Sequence, residues 1–234
     1  MKTHLVRKAS ACLMVWALFG GTHAVLLGAV TPLVFNLGTV MTGDSPASAV
    51  TPWLTATFSD AGSGKVYLDM AAVHLSGNED VKEWAFNIAP GVDFSSLKIA
   101  YVSGVGFNPM KVGISKGEDA VSGFAGFKFD FDFGFPNGNP AQRFTQSDHA
   151  RYLISLVGGV LDPSSFDYVA TGASGIDNWY TAAHIRNTTG PLGSGKIGAP
   201  GPPPVPVPEP ATYVAGVLLL LPILVQLRRW RRSG

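Results

Sequence analysis

Alternation with a period of two dominates the middle of the chain. Its clearest run is Phe127-Lys128-Phe129-Asp130-Phe131-Asp132-Phe133, in which every odd position is a ring and every even one carries a charge. In an extended strand this places four rings on one face and Lys128, Asp130 and Asp132 on the other. A half-buried antiparallel strand within residues 124–133 follows. Residues 53–58, 65–73, 81–88 and 97–102 read as further strands bounded by turn residues. Residues 151–157, 166–170 and 180–186 continue the series, the first of them also compatible with a short helix. Eight or so short strands at about ten-residue spacing, with no sustained helical period, predict an all-β fold, a jelly-roll-like β-sandwich. No internal repeat is found, which argues against a propeller or a solenoid.

The pattern changes at both ends. Residues 1–24 combine basic positions (Lys2, Arg7, Lys8), an apolar run over 11–19 and the small-residue stretch Gly20-Gly21-Thr22-His23-Ala24. This is the tripartite pattern of a secretory signal, with cleavage expected after Ala24. The only cysteine, Cys12, lies inside that segment, so the exported protein is expected to fold without a disulfide.

At the other end, residues 200–210 read Pro-Gly-Pro-Pro-Pro-Val-Pro-Val-Pro-Glu-Pro, which can form neither helix nor sheet and predicts a stiff extended spacer. Residues 211–227 then carry no charge, and at ~1.5 Å per residue they reach roughly 25 Å, a short transmembrane helix interrupted by Pro222. Arg228, Arg229, Arg231 and Arg232 follow as a stop-transfer cluster that fixes this end in the cytoplasm. The expected organisation is a signal peptide (1–24), a β-domain (25–187), a Gly/Pro-rich linker (188–206) and a C-terminal segment (207–234).

Charge sharpens this division. The whole chain has 17 Lys and Arg against 16 Asp and Glu, a formal charge of +1. Residues 25–206 hold ten of those cations and fifteen of the anions, a net charge of about −5 by formal counting. The basic character belongs to the ends. No Lys/Arg stripe exists in the middle to neutralise phosphates, which excludes nucleic acid as a partner.

The tail Val207-Pro208-Glu209-Pro210, a short hydrophobic span and an Arg-rich end, in that order, resembles the PEP-CTERM sorting signal of exported bacterial proteins. The resemblance covers about 28 residues. It implies passage through the Sec translocon, temporary anchoring in the inner membrane with the domain in the periplasm, and processing near Pro208-Glu209-Pro210 by exosortase, a membrane-embedded cysteine protease. It further implies a destination at the cell surface or in the extracellular polysaccharide of biofilm-forming Gram-negative bacteria. The middle is similar to secreted β-rich proteins that carry the same tail. Trp84-Ala85-Phe86-Asn87-Ile88 resembles their early core strand, and Ala182-Ala183-His184-Ile185 with the Gly-rich stretch to Gly198 resembles their last strand and exit. Such tails also occur on unrelated cargo, including ice-binding proteins.

Local motifs give little chemistry. Residues 190–197 fit the spacing of a phosphate-binding loop, but Ile197 stands where Ser or Thr must meet Mg²⁺, and the prolines beyond forbid the following helix. HExxH is absent, and His74, His149 and His184 are far apart in the chain, so no enzyme is expected; a hydrolase would need one of these histidines beside an Asp and a Ser. Asp130 and Asp132, with the amide oxygens of residues 136–140, form a hard-ligand set that could attract calcium; otherwise no cofactor is expected. Trp179 and Tyr180 follow a turn-like segment and are the candidates for stacking on a glycan. The leading expectation is a structural or interaction protein of the cell surface or matrix. Its alternatives are a carbohydrate- or ice-binding module and, behind these, an envelope hydrolase.

Overall fold

The computed structural model describes residues 30–172 and 178–201. The signal segment with Ala24 and Cys12, the motif Val207 to Pro210, the span at 211–227 and the Arg cluster lie outside the described residues. Among the described residues no helix is long and apolar enough to cross a membrane.

The domain is all-β, with two antiparallel sheets and only short 3-10 turns between strands. The strands are β1 (Leu33–Leu37), β2 (Thr39–Gly43), β3 (Leu54–Gly62), β4 (Lys65–Ala72), β5 (Asp80–Phe86), β6 (Leu97–Val105), β7 (Gly113–Phe124), β8 (Phe127–Gly134), β9 (Phe144–Thr145), β10 (His149–Leu156), β11 (Trp179–Arg186) and β12 (Ser194–Pro200). A five-stranded sheet runs β1-β3-β4-β10-β6, and a larger one runs β2-β12-β11-β5-β8-β7, with β9 paired to the start of β5. Two hairpins close on two-residue loops, Ser63-Gly64 and Ala125-Gly126, whose four residues all have positive φ. That is the loop conformation whose twist matches antiparallel strands.

The sheets meet across a ring-rich core. Phe58 of the smaller sheet packs edge-on against Phe86 of the larger one at 5.5 Å and stacks on Phe166 at 4.2 Å. Trp84 is fully buried and stacks on Phe86, while its Nε1 donates to Thr181 Oγ1 at 3.0 Å, so the indole buries no unpaired donor.

The alternating run at 127–133 departs from its expected geometry. Phe131 and Phe133 enter the core between the sheets, but Phe129 joins Val121, Phe124, Ala85, Ala182 and Trp179 in a second buried cluster. Ala85 lies between core-facing Trp84 and Phe86, which puts this cluster on the outer face of the larger sheet. The tip of the β7–β8 hairpin folds over that face and brings its rings with it. The charged side of the run is open to water only at its start: Lys128 is exposed and Asp130 half-buried, but Asp132 is 6% exposed and accepts from Ser115 N at 3.2 Å.

Two boundaries also move. The expected strand at 166–170 is instead the end of a 3-10 turn, Pro163–Phe166, followed by irregular chain. The expected linker at 188–206 contains β12, an interior strand between β11 and β2 with Ile197 wholly buried, so the domain extends to Pro200. The glycines that read as linker are there for close approach. A Cβ on Gly195 would sit 1.8 Å from the Asp44 carbonyl oxygen, and one on Gly198 would sit 2.5 Å from the Trp179 ring.

Replacing Gly195 with Ala is expected to destabilise the domain by about 2–3 kcal/mol, because backbone rather than a flexible side chain must yield. Gly138→Ala, with nothing within 4 Å of the added carbon, is the control and should shift stability by under about 0.5 kcal/mol. Urea unfolding followed by tryptophan fluorescence reads both.

Candidate functional site

The outer face of the larger sheet carries a group of ionisable side chains, Lys82, Glu83, Asp132, His184 and Lys196. Cross-strand register sets it up: Glu83 of β5 lies opposite His184 of β11, His184 opposite Lys196 of β12, and Lys196 opposite Thr42 of β2. Residues directly opposite on one face have Cβ atoms about 5 Å apart, so four strands present one continuous polar row. Two bulges shape it. The register slips between His184 and Ile185 against β5, making Lys82 the extra residue, and between Lys196 and Ile197 against β2, where Met41 is extra. A bulge turns consecutive side chains toward the same side, so Lys82 joins Glu83 beside the imidazole.

Beside the row a cavity of about 220 Å³ is lined by Thr42, Gly43, His184, Leu192, Ser194, Gly195 and Lys196. Leu192, 70% exposed, forms an apolar rim. The neighbouring loop is fixed by Asp44, whose Oδ2 accepts from Thr188 Oγ1 at 3.1 Å and from Leu192 N at 2.9 Å. Behind it, the fully buried Asp80 takes the Arg186 guanidinium and the Asn187 amide, with Arg143 3.8 Å away.

The electrostatics of the row follow from half-burial and crowding. Burial first, and then the adjacent Asp132 carboxylate, push Glu83 up to about 7, against the pull of Lys82 and Lys196. A proton on Glu83 lets the two carboxyls hydrogen-bond rather than repel. His184 is pushed down to about 4, by burial first and then by Lys82, Lys196 and Arg186, with Asp80 alone opposing. An imidazole so surrounded by cations is a poor general base, because it resists becoming imidazolium. Ser194 lines the same cavity, but His184 is not disposed to take its proton.

The residues singled out by sequence are distributed otherwise. His74 lies after β4 with Nδ1 2.7 Å from the Pro52 carbonyl oxygen, and His149 begins β10 on the other sheet, so neither meets His184. Trp179 is 3% exposed, beneath the β7–β8 tip with Phe127 6.4 Å away, and Tyr180 stacks on Phe35 at 5.8 Å. Neither offers an open ring face to a sugar. Asp130 accepts from Ile88 N at 3.0 Å and Asp119 N at 3.1 Å, which commits its oxygens to backbone donors. In the turn beyond, Asn139 Oδ1 accepts from Ala141 N at 3.1 Å, and the Asn137 carbonyl oxygen accepts from Arg143 Nε at 3.2 Å. Among the described residues no group of three or more His, Cys, Asp or Glu is placed to hold a metal ion. Comparisons with protein-family models, with curated proteins and with solved structures returned no match for this chain.

The two shifted groups pull pH dependence in opposite directions. Folded Glu83 keeps a proton that the unfolded chain releases between its ordinary value of 4.5 and about 7, so its contribution falls as pH rises through that window. Unfolded His184 takes up a proton that the folded state refuses between 6.5 and about 4, so its contribution is lost as pH falls. Glu83→Gln is expected to make stability rise more steeply from pH 4.5 to 6.5 than in the wild type, and His184→Gln to make it rise less or fall. Both groups are half exposed and solvent screening reduces each effect to on the order of 1 kcal/mol. Thermal melts of the three proteins across pH 4–8 measure the slopes.

Proposed function

We propose that this chain is an exported protein of the bacterial cell surface or extracellular matrix, a jelly-roll-like β-sandwich that acts by structure and binding and is sorted through a PEP-CTERM tail. The observation that carries the reading is the order of features after β12: Val207-Pro208-Glu209-Pro210, a charge-free run at 211–227, then Arg228, Arg229, Arg231 and Arg232. A translocated domain needs a signal at its start, and residues 1–24 have that pattern. The Sec translocon, the inner membrane and exosortase are the successive partners in this reading. A domain without cysteine suits it as well, because its fold asks nothing of the redox state outside the cell.

A second reading, a carbohydrate-binding module of the same exported protein, is favoured by the cavity beside His184, where two hydroxyls, one lysine and an apolar rim converge. Polysaccharide of the matrix is its natural partner class.

Sorting is tested by expressing the full chain with and without an exosortase and reading the C-terminal residue by mass spectrometry. The expected outcome is loss of residues beyond the Pro208-Glu209-Pro210 region only when exosortase is present. An intact Arg-rich end in exosortase-positive cells, with the protein retained in the inner membrane, overturns the reading.

A further inference from the structure

We propose that two copies of this chain associate about a two-fold axis through the free edge of β6, joining their smaller sheets into one. The two flanks of the sandwich are built differently. On one, the chain passes from β1 in the smaller sheet to β2 in the larger through Gly38 alone, so a single run of chain closes the gap between the sheets. On the other, β6 and β7 are the outermost strands of their sheets. Lys116 of β7 reaches across that flank and donates to the Leu97 carbonyl oxygen. This carbonyl therefore points away from β10, and by alternation so do the backbone groups of Ile99 and Tyr101. Neither residue has another backbone partner among the described residues.

Apolar side chains gather at the same flank. Tyr101, Val102 and Val105 on β6, Met110 in the turn Pro109–Lys111 and Ile114 on β7 are five of the thirteen large apolar side chains exposed among the described residues, and Met110 is 90% exposed. The chain's own ends do not cover them. Residues 25–29 lead into β1, at the opposite edge of the smaller sheet, four strand spacings or about 19 Å from β6. Five residues span at most roughly 18 Å, so they cannot lie along it. Past Gly201 the chain runs through the prolines of 200–210, which have no N–H to give to a ladder.

A second copy fits by register, charge and area. With the axis at Ala100, Ile99 faces Tyr101 of the second copy and the reverse, and antiparallel pairing gives about four hydrogen bonds. Only residues before the bulge at Val102 are needed for them. Lys98 faces Val102 of the second copy rather than another lysine, and the small Ala100 leaves the axis unobstructed. Residues 97–117 contain no acid, although residues 25–206 hold fifteen, so no carboxylates of these strands are brought together. The exposed parts of the five apolar side chains amount to roughly 500 Å² per copy before any edge backbone is counted, close to the ~600 Å² a side at which specific interfaces begin. The contact is isologous and closes at two copies. It leaves the cavity beside His184, on the outer face of the other sheet, open in both.

Sedimentation velocity of the full chain in detergent, over a dilution series, tests this. The wild type is expected to show a dimer that dissociates on dilution. Ala100→Lys, at an exposed position, sets two ammonium groups opposite each other and is expected to raise the dimer Kd at least tenfold, with an unchanged melting curve at concentrations where both proteins are monomeric. In a Cys12→Ser background, which leaves no other thiol, Ala100→Cys is expected to oxidise to a disulfide-linked dimer at least tenfold faster than Gly138→Cys, placed on an exposed turn. A wild type that stays monomeric at every concentration overturns the proposal. So does a dimer undiminished in Ala100→Lys, the mark of association through the apolar run at 211–227 instead, and so do equal oxidation rates of the two cysteine variants.

Discussion

The larger sheet depends on β12 lying between β2 and β11. An interior strand must approach two neighbours at about 4.8 Å and tolerate whatever crosses its faces. Here one face meets the Asp44 backbone and the other lies under the Trp179 ring, and Gly195 and Gly198 are the residues that leave room for both. Every consequence for the polar row follows from this. Ile197 anchors the strand in the core, which turns Lys196 outward to stand beside His184. If β12 did not pair, His184 would lie on an edge strand and the cavity would lose Ser194, Gly195 and Lys196 together.

A fold with no disulfide needs other means to hold long connections, and this domain uses carboxylates. Glu79, 2% exposed, accepts from Ala47 N at 2.6 Å and Ser76 N at 2.9 Å, tying the approach to β3 to the approach to β5. Asp148 holds Thr145 N at 2.6 Å, Asp162 caps the 3-10 turn that places Phe166 in the core, and Asp44 clamps the loop before β12. A carboxylate accepting backbone N–H groups satisfies donors that a buried loop would otherwise leave unpaired, and each such bond is stronger than a neutral one. Burial opposes the charge at the same time and raises Asp130 and Asp148 from their ordinary value.

Local alternation made the main strands and the all-β class legible, because period two with turn residues between is a property of consecutive positions. β12 escaped for a physical reason: its glycines serve neighbours far away in sequence, and a Gly-rich stretch before prolines carries no apolar period. The two faces of β8 escaped for a related one, since the hairpin tip folds over the sheet and recruits Phe129 to a cluster that only tertiary contact defines. Of the polar row, His184 was visible as a histidine and Lys196 as part of a false phosphate loop. Lys82 and Glu83 were not, because cross-strand register and two bulges, rather than spacing along the chain, bring them there.

The same carboxylates change what the domain's formal charge means. Counting residues 25–206 gives about −5, but Glu79, Asp80, Asp132 and Asp148 are each at most 7% exposed. Asp80 is neutralised by Arg186, and Glu83 is disposed to hold a proton beside Asp132. Lys82 and Lys196 stand on the outer face of the same sheet, beside Glu83 and Asp132. Cations and anions are thus interleaved on that face, and net charge, which describes solubility and long-range encounter, does not describe how charge is distributed at the cavity.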